Sequence, residues 1–388
     1  MFIHDLNCSW LEHPFLHNSF KLRSDRDIEK IKACGIRFIY IDTSQGPDVE
    51  DAPTVEDIHL ALNERLQAIG SKLKRADTHL VPLEEEISQA KLVYREANTI
   101  VQSTLHDCRL GKQVELERLE PIVFAITESI FRNPDAIISM LRIKQADKYT
   151  FQHSVSVSAL LISFGRALGL ERSVIEQAGI GGLLHDIGKM NVPNHILNKP
   201  GKLNQHDFSI MKKHVEFGCN LMQNIKDVSP IASHIVAQHH ERYDGTGYPA
   251  GLKGEEINYF GQMASIVDVY DALTSNRVYH KAIEPTQVLR KLLEWSDLQF
   301  NTQLVHHFIR TIGIYPVGTL VKLESGYLAV VVEQHHEDLL HPKVRAVFNS
   351  RTHSHIPPKD FDLSKPGGDR IVSFEVPSRW HIDPSRHI

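Results

Sequence analysis

Thiol chemistry is almost missing from this chain of 388 residues. Its four cysteines, Cys8, Cys34, Cys108 and Cys219, lie far apart and form no CxxC pair. That excludes a disulfide framework or a thiolate zinc knuckle, and it fits a reducing, cytoplasmic setting. No apolar run approaches the roughly 18 residues of a membrane span. The N-terminus MFIHDLNCSW lacks a basic start followed by an apolar stretch, so neither a membrane span nor a secretory leader is expected. An excess of positive charge is missing too: 43 Lys and Arg stand against 48 Asp and Glu, a net charge of -5, which speaks against DNA as a partner. Internal repeats and low-complexity tracts are absent. Against these absences stands an abundance of one residue type, 24 histidines. Histidine is the commonest metal ligand, so their placement carries information.

The texture of the chain changes three times. At roughly 150 residues per domain, this length suggests two or three folding units. Residues 1–50 read as a small α+β unit: a helical segment over 25–33 ends at Cys34-Gly35 and leads into the β-rich run Phe38-Ile39-Tyr40-Ile41. Residues 51–134 turn to Glu, Lys, Arg, Gln, Leu and Ala, with helix starts at Thr54-Val55-Glu56-Asp57 and at Pro82. Two readings stand for this stretch, a dimerising connector (hence a homodimer) or a pair of helices packing on their own chain. Residues 135–316 are strongly helical, with segments predicted over 154–168, 172–184, 205–224 and 263–274. Beyond them, residues 317–388 show a β-hairpin around Glu324-Ser325-Gly326. The last twenty or so residues, from Gly367, are rich in Pro, Arg, His and Asp and read as a loosely held tail.

The chemistry concentrates in the helical stretch. There His153, His185-Asp186, His214, His239-His240 and Asp268 recur, three of these groups closing an apolar helical run: Leu183-Leu184 precedes His185, Ile235-Val236-Ala237 precedes His239, and Ile266-Val267 precedes Asp268. Ionisable groups in such helices are costly unless paired or metal-bound, and helices projecting them inward build metal centres. The donors are nitrogen and oxygen only, which suits Fe or Mn foremost, with Ni, Co or Zn as alternatives. Two six-coordinate ions offer about twelve positions. Seven side chains, with Asp186 bridging, fill about eight, and a bridging hydroxide fills two more. Two divalent ions are therefore expected, and a paired-metal site suits phosphoester hydrolysis. Lys189, one helical turn after Asp186, supplies a cation near a leaving group. His59, His79, His195, His206 and His234 receive no role.

These residues carry a family resemblance. Gly182-Leu183-Leu184-His185-Asp186-Ile187-Gly188-Lys189 resembles the signature of HD-domain metal-dependent phosphohydrolases. His239-His240-Glu241-Arg242-Tyr243-Asp244-Gly245-Thr246-Gly247-Tyr248-Pro249 is similar to the marker of the bacterial HD-GYP subgroup, and Asp268-Val269-Tyr270-Asp271-Ala272-Leu273-Thr274 follows it in family order. The stretch Ser9-Trp10-Leu11-Glu12-His13-Pro14-Phe15 resembles a small uncharacterised domain often fused ahead of HD-GYP domains. The fold class implied is mainly α: an all-helical HD-type bundle with a small N-terminal α+β domain and a short C-terminal β extension.

The resemblance implies a phosphodiesterase hydrolysing cyclic di-GMP to linear pGpG, and onward to GMP, with the mixed cyclic GMP-AMP as the alternative substrate. It assigns the metal to His153, His185, Asp186, His214, His239, His240 and Asp268. Catalysis falls to Asp186 and Lys189, and substrate binding to Lys189, Arg277 and Lys281, with Lys199 a further cation. Where some members carry a glutamate one turn before the first histidine and bind a third ion, this chain has Tyr149, which implies two. A second function class is an adaptor whose Gly247-Tyr248-Pro249 loop recruits partners such as diguanylate cyclases. Retention of all seven metal positions favours the enzyme.

Overall fold

The computed structural model describes the chain except residues 9–14, 16, 18, 72–80, 142–148, 200, 202, 277–281, 297 and 336. It opens with β1 (Phe2–Asp5) and β2 (Phe20–Lys21), then α1 (Asp25–Ala33) and β3 (Tyr40–Ile41). The three strands form an antiparallel sheet in the order β2-β1-β3. Ile3, Leu6, Ile31 and Ile36 fill its small core.

Helix α2 (Val55–Gly70) starts at a capping box: Thr54 Oγ1 accepts from Asp57 N–H at 3.1 Å, and the Asp57 carboxylate accepts from Thr54 N–H at 3.2 Å. Helix α3 (Leu83–Arg109) follows Pro82, with Glu84, Glu85 and Glu86 in its first turn, where the helix dipole favours negative charge. Its buried face, Ala90, Val93, Tyr94, Ala97, Val101, Leu105 and Cys108, has helical spacing. That face meets α4 (Leu116–Arg132), α5 (Pro134–Met140) and α6 (Tyr149–Ala167). The apolar face of α3 belongs to the same core as the later helices, so this helix packs on its own chain.

The bundle continues with α7 (Arg172–Leu184), a 3-10 turn (Ile187–Asn191), α8 (Asn194–Leu197), α9 (Gln205–Lys212), α10 (His214–Met222), α11 (Pro230–Gln238), α12 (Tyr259–Thr274), α13 (Pro285–Trp295) and α14 (Thr302–Ile312). The segment expected over 205–224 is split at Lys213, and the split makes His214 the first residue of a new helix. Gly188 permits a close approach of two elements. A Cβ there would fall 1.9 Å from the His214 carbonyl oxygen and 2.4 Å from Gly218 N, so only glycine lets the 3-10 turn lie against α10. The N-terminal sheet docks on α13. Glu294 accepts from Asn7 Nδ2 at 2.6 Å and from the Tyr40 hydroxyl at 2.8 Å, and Trp295 Nε1 donates to Asn7 Oδ1 at 3.1 Å.

Strands β4 (Leu320–Leu323), β5 (Tyr327–Glu333), β6 (Lys343–Asn349), β7 (Ser354–Asp362) and β8 (Ile371–Phe374) form a five-stranded antiparallel sheet, ordered β7-β6-β5-β4-β8. The expected hairpin is β4–β5, pairing Leu320 with Val330. The loosely held tail is corrected: β8 pairs with β4, Val321 opposite Phe374, and Trp380 and Ile382 cover Leu320, Leu328 and Phe348 on the other face. The few apolar residues of that segment are placed where the sheet leaves an edge and a face to cover. Pro357 and Pro358 sit in β7, an edge strand, where a missing N–H donor is tolerated. No described helix is long and apolar enough to cross a membrane.

Candidate metal centre

Five elements deliver the seven side chains. His153 lies in the first half of α6, and His185 and Asp186 close α7 and enter the 3-10 turn. His214 opens α10, His239 and His240 follow α11, and Asp268 sits in α12. All seven converge, and six of them are buried, with His240 partly exposed. Their donor atoms fall into two groups, His153, His185 and Asp268 in one, and Asp186, His214, His239 and His240 in the other. Within the first group, His153 Nε2 and His185 Nε2 face each other at 3.3 Å, and Asp268 Oδ1 lies 2.9 Å from His153 Nε2. Within the second, His214 Nε2 and His239 Nε2 face each other at 3.4 Å.

Asp186 stands between the groups. Its Oδ2 lies 3.3 Å from His185 Nε2 and 3.7 Å from His153 Nε2, while its Oδ1 lies 3.4 Å from His214 Nε2 and 3.9 Å from His239 Nε2. That second oxygen is buried and accepts no hydrogen bond. An unsatisfied carboxylate oxygen at this depth is costly, and a cation between the groups is what would satisfy it.

Four of the five histidines have their outer nitrogen tied down. Nδ1 of His153 meets Asp271 Oδ2 at 2.7 Å, Nδ1 of His185 the Gly182 carbonyl at 2.8 Å, and Nδ1 of His214 the Met211 carbonyl at 2.8 Å. His239 Nδ1 meets the Val236 carbonyl at 3.0 Å. Such partners fix the ring and its tautomer, leaving Nε2 as the inward lone pair. Burial pushes His214 down to about 4 and His239 down to about 3, the latter also through His185 and His214. Both are neutral at pH 7, as metal ligands must be. Burial works against ionising Asp186 and Asp268, yet Lys189 and His185 hold the Asp186 carboxyl well below the usual range, and the neighbouring His153 does the same for Asp268. His185 is pushed up, against its burial, by Asp186 and Asp268. Two carboxylates among five imidazoles make a donor set complementary to divalent cations.

Lys189 lies in the 3-10 turn with Nζ 2.5 Å from Asp186 Oδ2, its side chain one-fifth exposed at the edge of the centre. Lys199 pairs with Asp207. Arg277 and Lys281 lie outside the described residues. Two residues escaped sequence reasoning. Asp271, one helical turn after Asp268, was legible as a second acid on an apolar helix. Glu241, fully buried after the histidine pair, accepts from Ala250 N–H at 2.8 Å and Leu252 N–H at 3.0 Å and so holds the following loop closed.

Residues 135–304 match the family model of the HD domain, and residues 1–119 match that of a domain of unknown function (DUF3391). The second match spans the N-terminal sheet, α2 and α3. The chain is 39% identical over 384 residues, 98% of its length and 91% of the relative's, to the cyclic di-GMP phosphodiesterase PA4108 of Pseudomonas aeruginosa. It is 34% identical to 3'3'-cGAMP-specific phosphodiesterase 2 of Vibrio cholerae, over 42% of this chain and 31% of that one. A cyclic di-GMP phosphodiesterase of the same organism is 39% identical over 32% of this chain and 27% of its own length.

Proposed function

Because the chain belongs to the HD-GYP family of HD-domain phosphodiesterases, we propose that it hydrolyses cyclic di-GMP to linear pGpG at the buried His/Asp centre. The observation that carries this reading is Asp186, whose two oxygens face two separate donor groups, one of them with no hydrogen bond to satisfy it. That arrangement supports two divalent ions: His153, His185 and Asp268 would hold one and His214, His239 and His240 the other, with Asp186 within reach of both. When bound, such ions supply Lewis-acid charge to a phosphoryl group and make water acidic enough to attack it at neutral pH. Nitrogen and oxygen donors without thiolate favour Fe or Mn.

The chain's own residues do the rest. Burial and the Nδ1 partners keep the donors aimed before any ligand arrives. Lys189 places an ammonium at the edge of the centre, where one phosphate of a doubly anionic substrate would lie. In a chain of net charge -5 this local cation is needed to draw in the substrate. Hydrolysis adds water across one 3'–5' diester bond: the water oxygen joins phosphorus, and the released 3'-oxygen takes up a proton.

Elemental analysis of anaerobically purified protein, with cyclic di-GMP and cyclic GMP-AMP turnover followed on the same sample, tests this. About two ions per chain with pGpG appearing, both lost in Asp186→Ala, is the expected result. Faster turnover of cyclic GMP-AMP would reassign the substrate. Full occupancy without turnover of either dinucleotide would overturn the enzymatic reading in favour of the adaptor, and folded protein that takes up no metal would overturn the mechanism.

A further inference from the structure

Four of the five histidines are oriented through Nδ1, and His240 is not. Its Nδ1 lies 3.9 Å from Asp268 Oδ2, too far for a hydrogen bond, and no described residue hydrogen-bonds its side chain. It is also the ring with an exposed edge, its side chain 23% accessible. A ligand histidine without an outer hydrogen-bond partner needs some other contact to fix its ring.

Three rings lie against it: His239 and His214 of the same donor group, with centroids 4.2 and 5.0 Å away, and Tyr248 from the following loop. Tyr248 and His240 stack with centroids 4.7 Å apart and planes 26° from parallel, the flattest of the three contacts. The loop delivers the tyrosine by main-chain means. Tyr248 N–H donates to the His240 carbonyl at 3.1 Å, closing the loop on the very residue the ring covers. Gly247 makes that closure possible, since a Cβ there would fall 2.4 Å from Arg242 N and 2.6 Å from the His240 carbonyl oxygen. Asp244 turns the chain by accepting from Thr246 N–H at 3.0 Å, and the buried Glu241 carboxylate holds the loop beyond Pro249 through Ala250 and Leu252. The Lys212 ammonium lies 4.8 Å from the Tyr248 ring centroid, a cation–π contact that holds the tyrosine.

We propose that Tyr248 is a positioning residue: its ring does for His240 what the Nδ1 hydrogen bonds do for the other four histidines, fixing Nε2 or Nδ1 toward the donor group of Asp186, His214 and His239. The Glu241-to-Pro249 motif is then the support of one ligand, with the flat face of Tyr248 as its working part. This rests on the two-metal reading of the centre.

Cobalt(II) titration of the metal-free full chain, followed by absorbance and competed with a chelator, reads each site without turnover. Tyr248→Leu is expected to weaken one of two cobalt sites by about 10- to 100-fold and leave the other unchanged, whereas Tyr248→Phe, which keeps the flat ring, retains both. Thermal melts confirm that each variant is folded. Should Tyr248→Leu not fold, Tyr248→Met fills the space without a flat face and carries the same expectation. Wild-type affinity at both sites in the leucine or methionine variant overturns the proposal, including the case where only KM for a dinucleotide rises. Tyr248→Phe behaving like Tyr248→Leu overturns the stacking argument. A wild-type chain that takes up fewer than two cobalt ions overturns the two-metal reading itself, a different result from an unaffected variant on a two-ion background.

Discussion

Along strands β4 to β6 the buried side chains are Leu320, Val321, Leu323, Leu328, Ala329, Val330, Val331, Val344, Ala346, Val347 and Phe348, apolar without exception. At comparable depth the helical bundle holds His153, His185, Asp186, His214, His239, Asp268 and Asp271. Burying a large apolar side chain stabilises by about 1.5–3 kcal/mol, whereas buried ionisable groups cost free energy unless paired or metal-bound. The sheet's interior therefore carries no such cost. The bundle carries its polar centre only because α3, α4, α6, α7 and α12 enclose it in an apolar core. The contrast separates a part that contributes stability from a part that holds chemistry.

Leu328→Ala should break the first half of that contrast most strongly. The side chain is fully buried against Leu320, Val330 and Phe348, and its removal is expected to cost about 2–5 kcal/mol in equilibrium denaturation. Metal content and turnover at low temperature should stay at wild-type levels. A loss of metal in the folded variant would show that sheet and centre are not separable.

Asp271→Asn sharpens the other half. Asp271 is buried and holds His153 Nδ1 at 2.7 Å. Loss of its charge should weaken metal binding by about 10- to 100-fold, equivalent to about 1.4–2.7 kcal/mol, with a smaller change in the stability of the metal-free chain. Competition against a chelator measures the first and denaturation of the metal-free protein the second. Unchanged metal affinity would remove Asp271 from the support of the centre.

How much was legible follows the same division. Helices α1 and α7 end where their apolar spacing and terminal residues say they should, because those signals are local. The polar groups stood out because two pairs of them are adjacent and three of them close an apolar run, an incongruity that needs no tertiary knowledge. Their sorting into two donor groups, the stack of Tyr248 on His240 and the ion pair that engages Lys199 with Asp207 depend on elements meeting in space. The C-terminal segment was misread for a related reason. Ile371 and Phe374 find partners in β4, about fifty residues earlier, and composition alone does not reveal a pairing of that separation.

The smallest expected effect lies on the surface of the sheet. Arg345 on β6 donates to Asp360 on β7 through Nε at 2.6 Å and Nη2 at 2.9 Å, a two-pronged pair with the aspartate side chain 60% exposed. The Arg345 hydrogen bonds hold the Asp360 carboxyl below its ordinary value. A depressed acid contributes stability that is full above its unfolded value near 4 and is lost as pH falls through the lower folded value. Because water and salt screen so exposed a pair, Arg345→Ala should cost no more than about 1 kcal/mol at pH 7. Urea titrations of wild type and variant should differ at neutral pH and low salt, converge as pH drops below about 4, and converge again in about 1 M salt. A difference that persists through both changes would mean that Arg345 stabilises through its packed stem and its hydrogen bond to the His387 carbonyl rather than through its charge.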